Sequence, residues 1–280
     1  MWIPRVVPPL KWRKGSWSRS RSKASAQGEG APSVVRTLIL SDLHSNLEAT
    51  QSCLEAAREL GYDRVAILGD LVGYGGSPDE VVKVVQALDP AVIIRGNHDR
   101  VVAGIEQGED FNLLALQAAL VNRRLLSAES RDYLANLPPG PRPLGESCLV
   151  AHGTPLDEDE YLVDPDAAAL LFRGLDFFLC FFGHTHLPCV FRKTRETVSG
   201  LLPVPGGTRI PLRDGERYLI NPGSVGQPRD EDPRAAFLIL DETQRQVVFH
   251  RVSYPVPKAQ LRILEAGLPP LLAQRLQRGI

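Results

Sequence analysis

The sequence predicts an α/β protein, a layered sheet sandwich with helices on its outer faces rather than a simple doubly wound sheet. Two observations predict it. Between residues 34 and 95 short apolar runs alternate with segments of helical periodicity, a βαβαβ order. After residue 147 the chain is instead dominated by strand-length apolar runs, and it closes on a helical pair.

Taken in order, Val35 to Leu40 reads as a short buried strand, and Leu47 to Leu60 carries apolar residues at helical spacing up to Gly61, a residue suited to a C-terminal cap. A strand over Val65 to Leu68, a helix over Asp79 to Leu88 and a strand over Val92 to Arg95 complete the first unit. Asn112 to Leu126 and Ser130 to Leu137 predict two helices, the second stopped by Pro138 and Pro139, which make a helical flank over residues 111–137. Its apolar surface suits either a lid over a site or a contact with a second copy. Six strands follow, over Ser147 to Ala151, Phe177 to Phe182, Cys189 to Lys193, Arg217 to Ile220, Ala235 to Leu240 and Gln246 to Ser253. Ala259 to Ala266 and Leu271 to Arg278 close the chain as C-terminal helices (259–278), so residues 34–280 are expected as one domain.

The 280 residues, 43% hydrophobic and 23% charged, can bury a sizeable core and do not fit disordered, collagen-like or disulfide-stapled classes. A formal net charge of −1 supplies no whole-chain basic field, so any affinity for a polyanion has to be local. Cys53, Cys148, Cys180 and Cys189 form no Cys-x-x-Cys pair, which points to a reducing compartment. No run approaches the eighteen apolar residues a membrane span needs. A cytoplasmic location and no membrane partner are therefore expected.

Residues 1–33 differ from the rest. Arg5, Lys11, Arg13, Lys14, Arg19, Arg21 and Lys23 face the single acid Glu29 among Pro, Ser and Gly, the composition of a basic, disordered extension. Trp2, Trp12 and Trp17 all lie in it, so one reading is an arm that holds nucleic acid or another anionic surface. The reading preferred here is a solvated extension, or a start assigned too early, with initiation near Val34 or Val35.

Five of the six histidines, His44, His98, His152, His184 and His186, fall just beyond a predicted strand, where α/β proteins build their sites. Asp42 and His44 are two apart, as are His184 and His186. If the backbone stays extended, each pair presents both side chains on one face and can grip one ion. Asp70 follows the second strand between glycines that permit close backbone approach, and its carboxylate can bridge two cations. Asn97, His98 and Asp99 follow the third strand, offering an amide oxygen, a titratable imidazole and a carboxylate able to orient it. His152 adds a further ligand after a fourth. Singly each motif is weak, since Asp-x-His and Gly-Asp are common in turns. Five of them in this order, each at a strand end, mark a metal site.

With these motifs the sequence resembles the calcineurin-like metallophosphoesterase superfamily, whose signature is Asp-x-His, Gly-Asp-x-x-Gly, Gly-Asn-His-Asp/Glu, a His and Gly-His-x-His. The resemblance covers about Val35 to Val252. The runs Ser41 to Glu48, Gly69 to Gly75 and Asn221 to Gly226 are similar to its small bacterial phosphodiesterase branch. It implies a four-layer αββα sandwich of two mixed sheets flanked by helices, consistent with the element order. It also implies two divalent metal ions, one held by Asp42, His44, Asp70 and His186, the other by Asp70, Asn97, His152 and His184, with Asp70 bridging. Protein Ser/Thr phosphatases and symmetrical dinucleoside tetraphosphatases carry an arginine soon after Gly-Asp. Tyr74 stands there in this chain, so neither reading is favoured.

Two cations about 3.5–4 Å apart would acidify a bridging water for in-line attack and neutralise the phosphoryl oxygens. His98 would protonate the leaving alkoxide, with Asp99 fixing its ring. The thiolate-free donor set suits manganese, iron, zinc, nickel or cobalt better than calcium; availability rather than sequence chooses among them, and manganese is the first expectation. Asn46, Tyr74, Ser224 and Arg229 flank the motif loops as candidate substrate contacts, although Arg229 is expected to pair with a nearby surface acid. The expected activity is hydrolysis of phosphodiesters, or monoesters, of small partners such as nucleotides. The alternatives are a metal-dependent nuclease or RNA-processing factor using the basic extension, and a non-catalytic scaffold on the same fold.

Overall fold

The computed structural model describes residues 35–280, so the expectations for the basic extension lie outside the described residues. The first half contains β1 (Arg36–Leu40), α1 (Leu47–Leu60), β2 (Arg64–Ile67), α2 (Pro78–Leu88), β3 (Val92–Ile93), α3 (Asn97–Ala103), α4 (Leu113–Leu125) and α5 (Ala128–Ala135). Next come β4 (Arg142–Gly145), β5 (Cys148–Val150), α6 (Pro165–Gly174), β6 (Leu179–Phe181), β7 (Cys189–Lys193), β8 (Val198–Leu201) and β9 (Arg209–Pro211). The chain ends with β10 (Arg217–Asn221), β11 (Ala235–Asp241), β12 (Gln246–Val252), α7 (Val256–Glu265) and α8 (Pro270–Arg278).

Among the described residues twelve strands form two six-stranded mixed sheets, β3-β2-β1-β11-β12-β9 and β4-β5-β6-β10-β7-β8. Alternation along the strands sorts side chains into layers. In β1, Leu38 and Leu40 join the cluster beneath α1, α2, α4, α7 and α8, whereas Ile39 turns the other way to meet Phe181, Tyr218 and Ile220 of the second sheet. The far face of the second sheet, with Cys180, Leu219 and Phe191, is covered by Ala168, Leu171 and Phe172 of α6. The molecule is thus the expected four-layer αββα sandwich. Both faces of each sheet are buried, which is why its central strands read as unbroken apolar runs.

Three edge strands, β4, β8 and β9, and two helices, α3 and α6, have no counterpart in the sequence expectations. Edge strands are mostly exposed and bear few apolar residues, so they leave no periodic signal. α3 begins inside the Gly-Asn-His-Asp run, expected as a loop. The flank is no detached lid: α4 buries Ala115, Ala118, Ala119, Val121 and Asn122 in the outer helical layer. Cys53, Cys148, Cys180 and Cys189 are all buried and free. Among the described residues no helix is long and apolar enough to cross a membrane.

Candidate metal centre

In each sheet three strands run parallel, β1, β2 and β3 in one, β5, β6 and β10 in the other. The loops leaving their C-terminal ends converge. The Asp42, His44 and Ser45 amides donate to the carbonyls of Gly69, Asp70 and Leu71 at 3.1, 3.0 and 2.9 Å. The two sheets are joined here by the His184 amide, 3.2 Å from both oxygens of Asp42, and by the Gly226 amide, which donates to the Asp42 carbonyl at 2.9 Å.

The expectation of an extended backbone at the paired ligands is not met. Asp42, His44, His184 and His186 all have φ between 45° and 66°, in the left-handed region. Each pair converges because the chain turns at both residues, not because a strand repeats every two. Such conformations cost about 1–2 kcal/mol each and persist here because the loop amides are satisfied across strands. Two glycines are required by close approach. A side chain at Gly73 (φ +99°) would strike the His98 ring, and one at Gly96 would strike the Asp70 carboxylate.

Asp42, His44, Asp70 and His186 each offer one ligand atom, all within 4.8 Å of one another; Asp70, His152 and His184 form a second group by the same measure. Asn97 Oδ1 adjoins the second group, 3.2 Å from His152 Nε2. Asp70 is common to both, with its Oδ2 3.5 Å from His44 Nε2 and 3.4 Å from His152 Nε2. All seven expected ligands therefore meet in one place.

Four rings are oriented by the backbone, three of them through Nδ1. His44 Nδ1 lies 2.9 Å from the Val72 carbonyl, His152 Nδ1 2.8 Å from that of Leu68 and His186 Nδ1 2.6 Å from that of Gln227. A carbonyl only accepts, so each Nδ1 carries a proton, and in the neutral rings of His44 and His186 Nε2 then presents a lone pair. Burial holds His44 and His186 well below the ordinary histidine pKa, yet their Nε2 atoms face each other at 2.9 Å. Two bare lone pairs at that distance repel unless a cation sits between them. Burial also pushes Asp42 up to about 7. At His152 the charge and hydrogen bond of Asp70 outweigh burial and lift the pKa to about 10. Imidazole, carboxylate and amide donors without a thiolate fit borderline divalent cations, so these residues fit the expected metals.

His98 differs from the ligands. It is 4% exposed, lines the open cleft beside both groups and packs against Phe111 and Tyr74, with ring centroids 4.6 and 4.5 Å away. Burial lowers its pKa to about 4, and its Nδ1 is buried without a partner. Asp99, expected to orient this ring, does not touch it. Its Oδ1 accepts from the amides of Leu71 and Val72 at 2.9 and 3.3 Å, and its Oδ2 from the amide of Gly96 at 2.9 Å. Adjacent residues on a helix do not face each other, so Asp99 caps α3 and clamps the Gly-Asp loop.

Of the expected substrate contacts, Tyr74 and Arg229 line the cleft, of about 220 Å³, with the Arg229 guanidinium 5.7 Å from the Tyr74 ring centre. Among the described residues Arg229 makes no acid pair. Its Nη2 donates to Gln227 Oε1 at 3.2 Å, its Nε is buried unpartnered, and the neighbouring Asp230 is taken by Arg251. Asn46 and Ser224 belong to the scaffold. Asn46 caps α1 at the Ala49 amide and donates to the Gly226 carbonyl; Ser224 Oγ donates to the Asp42 carbonyl and accepts from the Gln227 amide. Sequence reasoning passed over Asn122, whose Oδ1 accepts from Ser45 Oγ at 2.6 Å and the Gly73 amide at 2.7 Å, tying α4 to two site loops. It also passed over Arg100, Asp159 and Tyr161, which lie outside any recognisable spacing.

Comparison with known proteins places this geometry. A metallophosphoesterase of Sphaerobacter thermophilus is 38% identical, with a TM-score of 0.76 over 88% of this chain and 99% of that one. An uncharacterized protein of Methanocaldococcus jannaschii is 36% identical over 252 residues, 88% of this chain and all of that one. A hypothetical protein of Pyrococcus horikoshii, 21% identical, shares the fold with a TM-score of 0.70 over 88% of this chain and 99% of that one. Residues 35–245 match the calcineurin-like phosphoesterase superfamily domain, and the chain belongs to that superfamily.

Proposed function

We propose that the protein hydrolyses phosphodiesters of small substrates, nucleotides among them, with two divalent metal ions, manganese first. The observation that carries this reading is Asp70 shared between two ligand groups, one of which holds bare imidazole nitrogens 2.9 Å apart, at the floor of an open cleft. When bound, the metals neutralise the phosphoryl oxygens and make a water molecule more acidic. The chain's own residues do the rest. His98 reaches the cleft free of both ligand groups, and the negative charge of a phosphoryl group beside it favours its protonated form. It is thus placed to give a proton to the leaving oxygen. Arg229 lines the cleft with its guanidinium in no ion pair among the described residues, so that it can meet the phosphoryl group, and Tyr74 holds the guanidinium by its ring face.

Charge favours a small diester. Arg100, the other basic residue of the cleft, is bound by Glu106 and Asp159, which leaves Arg229 to meet the anion. One guanidinium suits a singly charged diester better than a doubly charged monoester. Glu106, Glu109, Asp110 and Asp159 line the same cleft and oppose a polyanion, which disfavours the nuclease reading.

The test is hydrolysis of bis-(p-nitrophenyl) phosphate beside p-nitrophenyl phosphate with Mn²⁺ and then with chelator. Chelator-sensitive activity favouring the diester is expected. Preference for the monoester overturns the diester reading, and no turnover of either despite bound metal favours the scaffold. Binding of a nucleic acid that weakens steeply with salt would point to the nuclease.

A further inference from the structure

One ligand histidine is held differently from the other three. His44, His152 and His186 are oriented by carbonyls of buried residues, those of Val72, Leu68 and Gln227. His184 is oriented from outside the core. Its Nε2 lies 3.1 Å from the carbonyl oxygen of Asp159, and its ring stacks on Tyr161 with centroids 4.1 Å apart. Asp159 and Tyr161 are exposed, on the segment that leaves ligand His152 and returns as α6.

Arg100 holds that segment against the site, alongside Arg95, whose Nη2 donates to Glu158 Oε2 at 3.0 Å. Arg100, on α3 three residues after Asn97, is 5% exposed in its side chain and donates through Nη2 to both carboxylate oxygens of Asp159 at 2.7 Å. Its Nε donates to Glu106 Oε1 at 2.8 Å, and its Nη1 lies 3.7 Å from Glu158. Asp159 and Glu106 take Nη2 and Nε and offset the charge of the guanidinium, so Arg100 serves as a link between protein groups although it lines the cleft and its Nη1 has no hydrogen-bond partner. What the arrangement provides is a mechanical link from the helix carrying Asn97 to the loop that aims His184.

We infer that Arg100 is a positioning residue for the second metal ion, acting through Asp159 to fix the ring of His184 while leaving the group of Asp42, His44 and His186 untouched. The inference rests on the binuclear reading above. Groups that orient a metal-bound histidine are typically worth 10–100-fold in metal affinity. Loss of the link therefore weakens one ion and spares the other, a pattern that general loosening of the fold does not give.

The test is calorimetric titration of Mn²⁺ into the metal-depleted full chain and into Arg100→Gln and Asp159→Asn variants. Asp159→Asn guards against misfolding of the first variant, since the Asp159 side chain is 56% exposed and its carbonyl is kept. Two binding steps are expected for the parent chain. In both variants one step should weaken about 10–100-fold and the other stay within about twofold. Steps unchanged in both variants, or both steps weakened alike, overturn the role of Arg100. A parent chain that binds one ion or none overturns the binuclear reading instead.

Discussion

His44 Nε2 and His186 Nε2 lie 2.9 Å apart, although each ring has committed its Nδ1 proton to a backbone carbonyl. That relationship stores repulsion which a cation relieves. Chelation should therefore destabilise the protein. A cation at a hundred times its dissociation constant adds about 2.7 kcal/mol, which at about 2–4 °C per kcal/mol corresponds to roughly 5–11 °C in Tm for each site. Differential scanning calorimetry with and without EDTA reads this directly. An unchanged Tm would count against cation binding at this pair.

Asp70 and His98 should separate metal binding from turnover. Asp70→Ala removes the carboxylate shared by both ligand groups and should empty both, as measured by metal content after gel filtration. His98→Ala should keep its metal and lose about 10²–10⁴ in turnover. Equal behaviour of the two variants in both assays would overturn this division.

Asp99 should prove a stability residue. Asp99→Ala strands the buried amides of Leu71, Val72 and Gly96, at about 1–3 kcal/mol per unpaired group, so a total loss of at least about 3 kcal/mol is expected. Chemical denaturation measures it. Lower kcat at full stability would instead restore a direct role beside His98.

Arg229 and Asn46 should diverge. Arg229→Ala removes a guanidinium that lines the cleft; a hydrogen bond to a charged group is worth about 1.5–3 kcal/mol, or roughly 10–100-fold in kcat/KM. Metal content should not change. Asn46→Ala should leave kcat/KM within about threefold and cost about 1 kcal/mol of stability through the lost helix cap. A large rise in KM for Asn46→Ala would return it to the substrate.

By itself the sequence determined the central strands, α1, the identity of the seven clustered ligand candidates and the superfamily. Those features are local. A buried strand is a short apolar run, a helix is a 3.6-residue stripe, and the ligands sit in motifs of fixed spacing. Where a feature depended on partners remote in the chain, local pattern misled or fell silent. Asp99 stands beside His98 in sequence, but its oxygens were claimed by amides 27 and 28 residues away. Asn46 and Ser224 look like free donors, yet packing spends them on the carbonyls of Gly226 and Asp42. The left-handed turns at Asp42, His44, His184 and His186, and the reach of Arg100 across 59 residues to Asp159, exist only once the loops of two sheets are brought together. Tertiary structure decided these because side-chain geometry and hydrogen-bond choice are set by whichever group is nearest in space, and chain spacing does not encode that distance.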